Sequence, residues 1–109
     1  MTARDQPSIL QILERCHWIR EFTLVGKSAF LASREKQEAT VRCLEVIGEA
    51  SRRISAPTRR AWPKVPWEDM AELRNLLIHE YESVKPSEVW STVERVIPQI
   101  EKTVGRIRL

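Results

Sequence analysis

Glycine is scarce in this sequence, with three in 109 residues. Long glycine-poor stretches rich in Ala, Leu, Ile, Glu and Arg favour helix, and no strand pattern, internal repeat or low-complexity segment interrupts them. Long hydrophobic runs are also missing: none approaches the ~20 residues needed to span a bilayer. The first residues, Met1 to Pro7, are polar and have no signal-peptide core. The expected compartment is therefore the cytoplasm, with no membrane partner. Cysteine is limited to Cys16 and Cys43, which fall within helical patterns and lack metal-type spacing. They read as reduced, partly buried thiols. No zinc, iron–sulfur or other cofactor site is predicted.

What is present is ordinary globular composition, 42% hydrophobic and 30% charged. It fits one domain over residues 1–109, with a core from about 8 to 107. The predicted class is all-α, an antiparallel bundle of four main helices joined by short connections. The first spans about Ser8 to Val25, with Ile9, Ile12, Leu13, Cys16, Ile19 and Phe22 as its apolar stripe. Ser8 suits its N-cap and Gly26 its end. The second spans about Ser33 to Ile54, with Thr40, Leu44, Ile47, Ser51 and Ile54 on one face beside Val41, Cys43 and Ala50. Ser33 is its expected N-cap and Pro57 its stop. Gly48 sits inside this helix at a cost of about 1 kcal/mol relative to alanine, which points to close approach of another backbone or a ligand.

A connector with three prolines, Ala56 to Pro66, follows. It is expected to hold one helical turn near Thr58 to Ala61 and to be pinned by Trp62 and Trp67. The third helix begins at Pro66, with Glu68 and Asp69 in its first turn. Its apolar face is Met70, Leu73, Leu76 and Leu77, and it ends around His79 to Glu82. The fourth runs from Pro86 to about Ile107 on a stripe of Val89, Val93, Val96, Ile97 and Ile100. Pro98 should kink it or divide it.

Net charge is +3, and a basic cluster comprises Arg52, Arg53, Arg59, Arg60 and Lys64. Such a cluster serves either as a nucleic-acid footprint or as a solvated helix end that satisfies the helix dipole. Glu45 and Glu49 are four apart on one helix face, a spacing that paired carboxylates can use to bind a divalent metal, but no accompanying His or Asp cluster supports a site. An interface role, pairing with an arginine, fits them better. Trp18, Trp62, Trp67 and Trp90 read as core or interface residues rather than base-stacking platforms.

The segment from Arg74 to Tyr81 sets polar groups beside an apolar run. Arg74 and Tyr81 share a helix face, about 20° apart, whereas His79 lies about 140° round from Arg74. Histidine moves protons near neutral pH, and an arginine fork holds phosphate and developing charge. Together they suffice for metal-free RNA cleavage, giving a 2′,3′-cyclic phosphate and a 5′-hydroxyl. By spacing alone, a salt-bridged Arg74 and a helix-capping His79 are the simpler and favoured reading, because such pairs recur by chance. Convergence of Arg74 and His79 requires either that the helix end near His79 or that a second chain close the site.

Arg74-x4-His79-x-Tyr81 resembles the signature of HepT proteins in the HEPN superfamily. Leu44 to Ala50 resembles the family's second-helix motif, and Val65-Pro66-Trp67 and Val89-Trp90 fit as well, so the resemblance runs from about Ser8 to Ile107. Lys85 departs from it, standing where relatives often place a helix-capping acid. The resemblance implies a HEPN bundle, a homodimer whose two motif segments face one cleft, and a toxin with a ribonuclease-type site that acts on RNA. Arg74 and His79 take the catalytic positions, supported by Asn75 and Tyr81. The implied partner is a minimal nucleotidyltransferase antitoxin, MntA, which transfers AMP from ATP to Tyr81. The alternative function is a non-catalytic nucleotide-binding or scaffold subunit of a nucleotidyltransferase; a plain dimerisation module is a third reading.

Overall fold

A computed structural model describes residues 3–79 and 84–108, with side chains described for 4–74 and 84–108. After a 3-10 turn at Ala3–Asp5, the described residues form six helices: α1 (Gln6–Thr23), α2 (Lys27–Leu31), α3 (Arg34–Arg52), α4 (Ala56–Ala61), α5 (Trp67–His79) and α6 (Pro86–Val104). The architecture is the expected all-α antiparallel bundle. Its four long members are α1, α3, α5 and α6, and α2 and α4 are short connecting helices.

Helix α3 is the centre of the bundle and packs most extensively on α5 and α1. Its central position explains its composition, because Thr40, Val41, Cys43, Leu44, Val46, Ile47, Gly48, Ala50 and Ser51 are buried on several sides of the helix. Helix α1 supplies the narrower stripe Ile9, Ile12, Cys16 and Ile19, with Leu13 and Phe22 partly buried at its flanks. Helix α6 supplies Val89, Val93, Val96, Ile97, Ile100 and Val104. These amphipathic faces, rather than intrinsic propensity, supply most of the helical stability. No described helix is long and apolar enough to cross a membrane.

Several helix boundaries differ from the sequence expectation. Helix α1 starts at Gln6, so Ser8 lies buried inside it and is not its cap. Asp5 occupies the N-cap position, but its carboxylate is turned to the connector. It accepts the Ser55 N–H at 3.0 Å and the Ser55 hydroxyl at 2.6 Å, together with the Thr58 hydroxyl. Helix α3 accordingly ends at Arg52, and Pro57 falls in the first turn of α4 instead of terminating α3. Helix α1 ends at Thr23. Gly26, at φ +91°, then serves as the N-cap of α2, a conformation that disfavours any side chain. Helix α2 was not anticipated. Its Phe30 is wholly buried and meets Trp90 with ring centroids 5.3 Å apart.

Of the remaining expectations, the Ser33 cap and the tryptophan pin on the connector hold, whereas the fourth helix is not divided at Pro98 and ends early. Ser33 caps α3 by accepting the Lys36 N–H at 3.3 Å. Trp67 is buried and donates its indole N–H to the Trp62 carbonyl at 3.0 Å, which pins the connector. Trp90 packs against the core, while Trp18 is on the surface beneath the Arg15 guanidinium, 4.3 Å from the ring centroid. Pro66 immediately precedes α5, and its carbonyl accepts the Met70 N–H at 2.9 Å. Lys85 stands at the N-cap of α6 without a side-chain capping bond. Helix α6 runs continuously through Pro98, so it is not divided there, and it ends at Val104, three residues short of Ile107.

Candidate active site

Arg74 lies on α5 one residue beyond the buried Leu73. Two consecutive residues of α3 set its position. The first is Gly48: a Cβ built there would lie 2.7 Å from the Arg74 amide nitrogen and 2.8 Å from the Arg74 Cβ. Hydrogen is therefore the side chain that lets the two helix backbones meet at this point. The close approach anticipated at Gly48 is made by another backbone, that of Arg74 itself. The second is Glu49, whose Oε1 lies 3.5 Å from the Arg74 Nε. Both side chains of this ion pair are about one-third exposed, at 38% for Arg74 and 32% for Glu49. The guanidinium is thus held at one edge while it borders solvent, which suits an anion ligand.

Glu49 also faces a second cation, with Arg53 Nη2 3.9 Å from its Oε2. Arg53 in turn donates to the Gln11 side chain of α1 at 3.4 Å. A polar line therefore runs Gln11, Arg53, Glu49, Arg74 across three helices. The sequence suggested an arginine partner for Glu45 and Glu49. Glu45 takes Arg42 from its own helix at 3.3 Å, whereas Glu49 takes the motif arginine.

The basic cluster does not act as one unit. Arg59 donates from Nε to the Ile54 carbonyl at 3.1 Å and from Nη2 to the Ser51 carbonyl at 2.8 Å. It closes the C-terminal end of α3, the helix-end role foreseen as one alternative. Arg52, Arg53, Arg60 and Lys64 are exposed. Of these, Arg53 is linked to the Arg74 pair, and the other three project from the end of α3 and the connector.

His79 and Asn75 belong to the backbone of α5, but their side chains lie outside the described residues, as do those of Leu76 and Leu77. Tyr81 lies outside the described residues altogether. Arg74 and His79 sit five residues apart on one helix, about 140° round its axis for regular geometry. No group of three or more His, Cys, Asp or Glu suited to a metal occurs among the described residues.

The two thiols are both buried. Burial, aided by Glu101 and then Cys43, pushes the Cys16 thiol up to about 12 from 9.0, although Arg20 opposes the shift. Burial also raises Cys43, against a lowering by Arg15. Neither is poised as a thiolate nucleophile.

Comparison with known proteins is consistent along almost the full chain. The family model described as "Ribonuclease HepT-like" matches residues 12–107. The chain is 39% identical over 106 residues to the candidate RNase MJ1380 of Methanocaldococcus jannaschii, covering 95% of this chain and 97% of that one. It is 38% identical over 98 residues to the probable ribonuclease HepT of Thermococcus cleftensis, covering 89% of each chain. A candidate RNase of Caldanaerobacter subterraneus, TTE0752, is 35% identical over 103 residues, with 94% and 92% covered. No solved structure matches the chain. With the helical bundle and the Arg74-x4-His79-x-Tyr81 segment, these matches establish that the chain belongs to the HepT-like ribonuclease family of the HEPN superfamily.

Proposed function

We propose that the chain is a metal-independent endoribonuclease toxin, neutralised by AMP transfer to Tyr81 from an MntA-like nucleotidyltransferase encoded as its antitoxin. The observation that carries the ribonuclease part is Arg74: a partly exposed side chain fixed on α5 by Gly48 and Glu49, five residues before His79, in a chain of a ribonuclease family. His79 accepts the proton of an RNA 2′-hydroxyl, and the 2′-oxygen attacks the adjacent phosphorus. The bond from phosphorus to the 5′-oxygen breaks, and that oxygen takes up a proton. Arg74 neutralises the charge that builds on the non-bridging oxygens. The products are a 2′,3′-cyclic phosphate and a 5′-hydroxyl, and no water is consumed in this step.

Cytoplasmic RNA is the substrate class, and the exposed cations Arg52, Arg60 and Lys64 add electrostatic attraction for it. The deciding experiment is cleavage of RNA by the purified protein, with and without EDTA, alongside Arg74→Ala and His79→Ala. Cleavage that survives EDTA and disappears in both variants while helicity persists is the expected result. Wild-type cleavage rates in His79→Ala would refute the assignment and favour the non-catalytic scaffold reading.

A further inference from the structure

We propose that Glu49 is a positioning residue for RNA cleavage, holding the Arg74 guanidinium by its Nε edge so that the terminal nitrogens are left for the phosphate. This rests on the ribonuclease reading above. An arginine side chain has several rotatable bonds, and a half-exposed one samples many orientations unless something selects among them. Here the selection has two parts. Gly48 brings the Arg74 backbone against α3, with 2.7 Å between a hypothetical Cβ and the Arg74 nitrogen, so the base of the side chain is fixed. Glu49, the next residue, then meets the far end at 3.5 Å through Nε. The contact uses the edge of the fork that a phosphate bound by the two terminal nitrogens leaves unused.

Glu49 is not suited to touch the RNA itself, because a carboxylate repels phosphate. Two cations face it, Arg74 and Arg53, so its charge is partly balanced within the protein. These features separate positioning from binding. Removing the carboxylate lowers turnover by freeing Arg74, yet it also removes a negative charge from the cleft. KM for RNA should therefore stay level or fall while kcat falls. A residue that merely stabilised the fold would lower apparent kcat only in proportion to the folded fraction, and its effect would not depend on the Nε of Arg74.

The test uses the full chain and one oligoribonucleotide, chosen from a mixed-sequence panel as the one the wild type cuts fastest. Glu49→Ala should reduce kcat roughly ten- to a hundredfold, the range expected when a catalytic group is misplaced, with KM unchanged or lower. Glu49→Asp keeps the charge but is a methylene shorter than a pair already at 3.5 Å, so its kcat should fall nearly as far. Glu49→Gln keeps the reach, loses the charge and should fall less. In an Arg74→Lys background, which lacks Nε, Glu49→Gln should cause no further loss. Thermal melts by circular dichroism identify any variant that fails to fold; the isosteric Glu49→Gln and its double variant decide the matter if Glu49→Ala does. Wild-type kcat in Glu49→Asp and Glu49→Gln, with Arg74→Ala inactive, overturns the positioning role alone. A raised KM at constant kcat overturns it too. Absence of cleavage by the wild type overturns this role and the ribonuclease reading together.

Discussion

Gly48 and Arg74 touch backbone to backbone, with only 2.7 Å available between a Cβ on the first and the amide nitrogen of the second. This crossing joins the central helix to the helix that bears the motif, so any side chain at Gly48 must displace Arg74.

Gly48→Ala sets two effects against each other. Alanine gains up to about 1 kcal/mol of helix propensity. Overpacking against a neighbouring backbone costs about 1–3 kcal/mol, and backbone yields less easily than a flexible side-chain tip. The expected outcome is net destabilisation in urea unfolding, with a larger proportional loss of RNA cleavage than of folded protein. A variant as stable as the wild type would show that the helices separate there without cost.

Tyr81 is the expected AMP acceptor. Incubation with the cognate nucleotidyltransferase and ATP should add mass in steps of one AMP unit, and RNA cleavage should decline in parallel. Phosphate placed near Arg74 competes with RNA for the same guanidinium and adds repulsive charge. Mass gain that persists in Tyr81→Phe would move the modification elsewhere.

A homodimer should complete the site. Arg74 and His79 are about 140° apart on one regular helix, and in-line cleavage benefits from proton-transfer groups on both sides of the phosphate. A two-fold axis brings a second Arg74 and His79 to the groove without new sequence. Light scattering should give twice the chain mass. Mixing an Arg74→Ala chain with a His79→Ala chain should restore part of the activity. A monomer at micromolar concentration would sink the composite site.

Alkaline pH should weaken the fold through Cys16. Its folded-state pKa of about 12 exceeds the ordinary 9.0 because the thiolate is poorly solvated in the core. The protonated thiol is the form compatible with folding. This contribution is thus constant below pH 9 and is lost as pH rises towards 12, at up to about 1.4 kcal/mol per pH unit. Urea midpoints measured from pH 8 to 10.5 should fall less steeply in Cys16→Ala than in the wild type. Equal slopes would remove Cys16 from the alkaline transition.

The four long helices were legible because each carries a stripe that repeats over several turns. Ile9, Ile12, Cys16 and Ile19 lie buried as their spacing implies. Helix α2 was not legible, because a five-residue segment is too short for periodicity and its one informative residue, Phe30, has no companion at helical spacing. Ser8 as an N-cap and Pro57 as a helix stop are local signals, and neither registers that the start of α1 is tied to the start of α4 through Asp5 and Ser55, fifty residues apart. Separation in sequence also hid the partner of Glu49, Arg74, which lies on a different helix. Glycine at 48 announced that something comes close, but only the packing of α3 on α5 reveals that it is Arg74.

The capping bonds of Arg59 bear on how RNA affinity should respond to salt. A guanidinium that donates through Nε and Nη2 to two backbone carbonyls keeps its charge but has fewer N–H groups left to contact a phosphate directly. With Arg53 also engaged by Glu49 and Gln11, three cations of this cluster, Arg52, Arg60 and Lys64, make no ion pair or side-chain hydrogen bond among the described residues. For single-stranded RNA each neutralised phosphate contributes about −0.7 to the slope of log affinity against log salt. This region of one chain therefore accounts for a slope near −2 rather than the −3.5 or so that its arginine and lysine content suggests. The bundle's own helix ends, not its composition, limit its polyelectrolyte character.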